Sequence, residues 1–159
     1  TLITLRNGNL NMKNKYPKPY AEKLIMLKPK QYSPMHFHWI KMEDIINRGG
    51  GNLLIRLYNS TRSGEFADSE VMVISDERKY YVPAGTQIRL TPGESITIYP
   101  NLYHDFEVEA GSEAVLIGEV SMCNDDENDN RFYEDVGRFP DIEEDESPYR
   151  LLCFEYPQK

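Results

Sequence analysis

Three histidines occur in the 159 residues, and all three fall in two short segments. Residues 35–44 read M-H-F-H-W-I-K-M-E-D, with His36 and His38 one residue apart and Glu43 five positions after the second. His104 closes the later segment P-N-L-Y-H. In an extended strand alternate side chains share a face, so His36 and His38 point one way and Phe37 the other. Two imidazoles placed like this can grip one ion. Glu43 has the opposite parity, so it joins them only if the chain turns between Trp39 and Met42 and returns on a neighbouring strand. Glycines at 49–51 would then allow a further tight reversal. Three imidazoles and a carboxylate form a mixed nitrogen–oxygen set, suited to manganese, iron, cobalt, nickel or zinc rather than calcium or magnesium.

With every histidine spent as a ligand, proton transfer at such a centre falls to a carboxylate, a lysine or a tyrosine. Glu119 is the leading candidate. It lies in the run 114–122, where Val115, Ile117, Glu119 and Ser121 share one face. A lone acid on an apolar face is costly unless it is paired or used. Lys41, between the ligands, can set an ammonium beside substrate oxygens. Trp39, Tyr103 and Phe106 have the chemistry to stack on a flat ligand face, although aromatic residues in a barrel more often belong to the core. The run 48–51 lacks the spacing of a phosphate cradle.

These residues need a scaffold, and the rest of the chain reads as short strands. Runs rich in β-formers recur at 2–5, 23–27, 53–57, 71–75, 79–82, 87–90, 95–99, 105–108, 114–122 and 151–154. Between them stand turn signals such as Asn7-Gly8, Ser63-Gly64, Pro92-Gly93 and Ala110-Gly111. No segment sustains a helical period over a dozen residues. The pattern predicts a single all-β domain, a barrel or sandwich, over 1–159. Two acidic stretches, 124–130 and 141–146, read as solvated loops. The net charge of -8 argues against nucleic acid or an anionic membrane as the main partner. No apolar run reaches the length of a membrane span. Cys123 and Cys153 read as reduced thiols of a cytoplasmic protein. The chain begins on T-L-I-T-L without methionine, as a trimmed product would.

The order His36, His38, Glu43, Gly50, then Gly93, Pro100 and His104 resembles the two cupin motifs. It departs from them at Lys30, where the first motif usually begins with glycine, and at Asn101, where a glycine usually precedes the last histidine. No asparagine follows His104 at the usual offset. None of these departures removes a donor, and asparagine also tolerates the left-handed conformation. Longer segments, M-H-F-H-W-I-K-M-E-D-I-I-N-R-G-G-G-N-L, L-T-P-G-E-S-I, L-Y-H, G-E-V-S and N-D-D-E-N-D-N, resemble the D-lyxose isomerases, which are cupin sugar isomerases. The resemblance implies a double-sheet jelly-roll barrel with the metal inside, usually manganese. It implies interconversion of D-lyxose with D-xylulose and of D-mannose with D-fructose. It implies, too, a homodimer; family members also carry an N-terminal helical segment that this chain lacks. Asp129 and Arg138 match positions shared with more distant members, which suggests contacts to sugar hydroxyls. Two rival classes use the same donors: a cupin dioxygenase with iron, and a non-catalytic cupin that binds metal and sugar without turnover.

Overall fold

The computed structural model describes residues 1–125, 128–135 and 145–149. Twelve strands carry the fold: β1 (Leu2–Arg6), β2 (Tyr20–Leu27), β3 (Tyr32–His38), β4 (Glu43–Gly50), β5 (Leu53–Asn59) and β6 (Val71–Ser75). β7 (Arg78–Val82), β8 (Gln87–Leu90), β9 (Ser95–Ile98), β10 (Leu102–Val108), β11 (Val115–Met122) and β12 (Asn130–Phe132) complete the set. There is no helix among the described residues, and so none long and apolar enough to cross a membrane. The run at 151–154 lies outside the described residues.

Two antiparallel sheets face each other. One has seven strands in the order β1-β2-β11-β4-β9-β6-β7, and the other five, β12-β3-β10-β5-β8. This is the cupin double-sheet barrel that the motifs implied. Its inward faces follow the strand period of two. β5 buries Leu53, Ile55 and Leu57, β6 buries Val71 and Val73, and β9 buries Ile96 and Ile98. With Phe106, Val108, Val115 and Ile117 they form one continuous apolar core.

β4 and β12 escape the hydrophobic pattern. β4 puts Glu43, Ile45 and Asn47 inside, so two of its three buried side chains are polar and no apolar alternation marks it. Asn47 is satisfied there: its amide donates to the Gly51 and Leu90 carbonyls at 2.9 and 3.0 Å. β12 lies at the end of an acidic stretch expected to be a solvated loop, yet it pairs with β3 from Asn130↔His38 to Phe132↔His36.

The places where the chain departs from the cupin glycines keep the backbone conformation that glycine would supply. Lys30 has φ 69° and Asn101 φ 63°, both left-handed. The glycine run works as expected at its middle member. Gly50 has φ 89°, and a Cβ there would collide with the Ala114 carbonyl. The chain can therefore reverse from β4 into β5 while β11 packs closely beside it.

Candidate metal centre and active site

β3 and β10 are neighbours, and their register sets His104 opposite His36. The turn after His38 carries Lys41 and returns the chain as β4, which opens on Glu43. Glu43 thus sits on the seven-stranded sheet and faces the histidines of the five-stranded one. The chain turns where the parity mismatch required it to. One ligand atom from each of His36, His38, Glu43 and His104 lies within 4.8 Å of all the others.

The rings are oriented from behind. Nδ1 of His36 donates to the Pro34 carbonyl at 2.7 Å, Nδ1 of His38 to the Asp129 carbonyl at 3.1 Å, and Nδ1 of His104 to the Leu102 carbonyl at 3.0 Å. A carbonyl only accepts, so this network assigns a proton to Nδ1 in all three rings, and in the neutral imidazole it leaves the Nε2 lone pair free to ligate. Nε2 of His38 and of His104 are buried and have no hydrogen-bond partner among the described residues. They stand 3.4 and 3.0 Å from Oε1 of Glu43. Lone pairs facing a carboxylate oxygen repel unless a cation lies between them. Donors about 2.1 Å from one ion are separated by about 3.0–3.4 Å along the edges of an octahedron or tetrahedron. The donor set and its spacing therefore fit a divalent metal, and hydrogen bonds from the far ring nitrogens are the usual support for imidazole ligands.

The electrostatics agree. Burial first, then the neighbouring His104 and His38 rings, hold His36 well below its ordinary range, so it stays neutral and able to ligate. Burial works against ionisation of Glu43. The Lys41 ammonium, 2.7 Å from Oε2, opposes it, and the carboxyl is held well below the usual carboxylate range. Burial also disfavours the charge on Lys41, but Glu43 and Glu119 more than offset that and push it up to about 12.

Beside the metal donors lies a buried chain of four charges. Lys41 Nζ is 2.7 Å from Oε2 of Glu43 and 3.1 Å from Oε1 of Glu119. Lys23 Nζ, from β2, is 2.7 Å from the same Oε1 and donates to Oδ1 of Asn124 at 2.7 Å. All four charged side chains are at most 6% exposed. They line a cavity of about 210 Å³ together with His36, His38, Asn124, Asn130 and Phe132. Phe132 stacks on His36 with ring centroids 5.4 Å apart. The cavity lining mixes apolar side chains with a few polar groups, as expected where a small hydroxylated molecule is oriented.

Most of the residues singled out in the sequence converge here. Glu119 faces inward with Val115 and Ile117, as strand parity required. Asp129 is only 7% exposed, although its stretch read as a solvated loop. Its Oδ1 accepts the Ile40 N–H at 2.8 Å and its Oδ2 the Lys41 N–H at 2.9 Å. It pins the turn that presents Lys41, and its backbone carbonyl holds His38. Arg138 lies outside the described residues, as does Cys153. Phe106 lines the cavity. Tyr103 and Trp39 instead pack on Phe37, with ring centroids 4.7 and 4.6 Å away, on the opposite side of β3 from the histidines. Lys23 and Asn124 were missed. The signal for Lys23 was a single charge on the face Ala21, Lys23, Ile25, Leu27 of β2, which pairs with β11 in the register Glu119↔Lys23.

A family model described as D-lyxose isomerase matches residues 1–156. The chain belongs to the D-lyxose isomerase family. It is an enzyme of the aldose–ketose isomerase class. A D-lyxose/D-mannose isomerase of Escherichia coli O157:H7 is 50% identical over 158 residues, 99% of this chain and 69% of that protein. One from Serratia proteamaculans is 51% identical over 156 residues, 98% of this chain and 68% of that protein. Among solved structures, ligand-free L-ribose isomerase from Cellulomonas parahominis superposes with a TM-score of 0.63 at 16% identity, covering 85% of this chain and 69% of that one. At that identity the likeness concerns the fold.

Proposed function

We propose that this isomerase interconverts D-lyxose with D-xylulose and D-mannose with D-fructose, with manganese held by His36, His38, Glu43 and His104. The observation that carries the reading is the convergence of buried, unpartnered imidazole lone pairs on Glu43 beside the Lys41–Glu119 pair. The family's curated relatives supply the substrates by name. Iron, cobalt, nickel and zinc suit the same donors, and comparing activity after reloading with each ion ranks them. A bound divalent ion supplies Lewis acidity toward the carbonyl and adjacent hydroxyl oxygens of the open sugar.

The chain's own groups move the proton. Glu119 takes the proton from C2 of the open aldose, and that electron pair forms the C1=C2 bond of an enediolate while charge passes to O1. The proton then returns from Glu119 to C1, as O1 gains a proton and O2 loses one to become the ketose carbonyl. Lys41, charged up to a pH of about 12, stabilises the negative oxygen and does not serve as a base. Asn130 on the cavity wall, with Asp129 and Arg138, is the candidate for orienting hydroxyls, and Phe132 can pack on an apolar face of the sugar.

The protein is placed in the cytoplasm on this reading, and Cys123 there is a buried free thiol. A homodimer would cover the exposed apolar residues Leu2, Ile3 and Leu5 of the edge strand β1. The assay is incubation of the manganese-loaded protein with D-lyxose. Appearance of D-xylulose without oxygen uptake is expected. Oxygen consumption would support a dioxygenase instead, and binding without conversion a non-catalytic cupin.

A further inference from the structure

Among the described residues, Glu119 is gripped at one oxygen. Lys23 and Lys41 both donate to Oε1, at 2.7 and 3.1 Å, and no described residue donates to Oε2. We propose that Lys23 is a positioning residue for the isomerisation: anchored by Asn124, it locks Oε1 of Glu119 so that Oε2 alone carries the proton between the sugar carbons. The inference rests on the reading of Glu119 as the proton carrier.

Lys23 is itself held. It is 4% exposed, and its ammonium spans Glu119 Oε1 and Asn124 Oδ1 at 2.7 Å each. Asn124 is tied in turn to the segment between β1 and β2. Its N–H donates to Oδ1 of Asn7 at 2.9 Å, and Nδ2 of Asn7 donates to its carbonyl at 3.1 Å. Lys41 is a shared anchor, because it also binds Glu43 at 2.7 Å. On its own it leaves the Glu119 carboxylate free to rotate about a single contact. A second ammonium arriving from β2, on the other side of β11 from β4, fixes the carboxylate plane. A buried ion pair is a weak source of stability, since desolvation offsets most of its attraction. What this pair yields is geometry, and a reacting atom misplaced by about 1 Å loses rate by about 100-fold.

The test uses the full, manganese-loaded chain. Lys23→Met is expected to lower kcat for D-lyxose by about 10- to 100-fold while leaving KM within about threefold and metal content unchanged. Washout of deuterium from C2 falls in parallel, and Lys23→Arg, which keeps the charge, recovers part of the loss. In a Glu119→Gln background the same Lys23→Met change produces no further drop, because the two act as a unit. A kcat within about twofold of the parent, a full additional drop in the Glu119→Gln background, or a rise in KM at unchanged kcat would each overturn the proposal. If Lys23→Met fails to fold, Asn124→Ala keeps the charge and loosens its anchor. It is expected to reduce kcat, and an unchanged kcat overturns the proposal as well. Full activity of Glu119→Gln alone would sink the assignment of Glu119 as proton carrier, a separate failure from that of Lys23.

Discussion

Follow one inward face of β11 and the barrel changes character within two residues. Val115 and Ile117 lie in the apolar core, and Glu119 and Ser121 lie in the polar end. β2 makes the same change in the opposite direction along the chain, from Ala21 and Lys23 to Ile25 and Leu27, and β4 goes from Glu43 to Ile45. The two ends share strands, sheets and hydrogen-bond ladders, and differ only in what fills the space between the sheets. The apolar end is held by burial, which is non-directional. The polar end is held by named contacts with fixed donors and acceptors. A substitution should therefore register as stability at one end and as chemistry at the other.

The largest effects belong to the polar end. Removing an imidazole, as in His104→Ala, is expected to strip the metal and take activity below detection; elemental analysis and the D-lyxose assay check both. Glu119→Gln should keep the metal but lower turnover by about 100- to 10,000-fold, read from exchange of the C2 proton. Asp129→Asn replaces an oxygen that accepts a backbone N–H with an amide that cannot. It should weaken metal affinity or turnover by about 10- to 100-fold, because the turn bearing Lys41 and the His38 ring lose their support.

The matched change at the apolar end is Ile117→Val, two residues from Glu119 on the same face. It should lower unfolding free energy by about 0.5–1.5 kcal/mol and leave kcat of the folded enzyme unaltered. A kcat that fell with it would erase the distinction between the ends. The smallest effect separates the two buried charges by pH in metal-free protein. Glu43 is held below its ordinary value of 4.5, so its contribution is present above that pH and is lost as pH falls through the lowered value. Lys41 is raised to about 12, so its contribution persists throughout that range and is lost only on alkaline titration through 12. The acid-side decline in Tm should be shallower in Glu43→Gln than in the parent.

The contrast also explains what could be read from residue order. The apolar end was legible because alternating Val, Ile and Leu signal a half-buried strand, and most expected runs match strands. The candidate metal donors were legible as a cluster because histidine is scarce here and the spacing from His36 to Glu43 demands a turn. Glu119 followed from parity. Lys23 did not, because its partner is 96 positions away and nothing local distinguishes an inward lysine from a solvated one. β4 was hidden by Glu43 and Asn47, polar residues that only the folded barrel explains. Asp129 looked like one more charge in an acidic run until its two oxygens met the backbone of the turn.

The three carbonyls behind the histidines have one more consequence. Each ring already carries its proton on the nitrogen facing away from the centre, and Glu43 is already ionised at neutral pH. Loading the ion then requires no ring flip at any of the three histidines. Zinc added to the metal-free protein should leave each Nδ1 proton in place in nitrogen-15 imidazole spectra, the mark of a socket assembled before its occupant arrives.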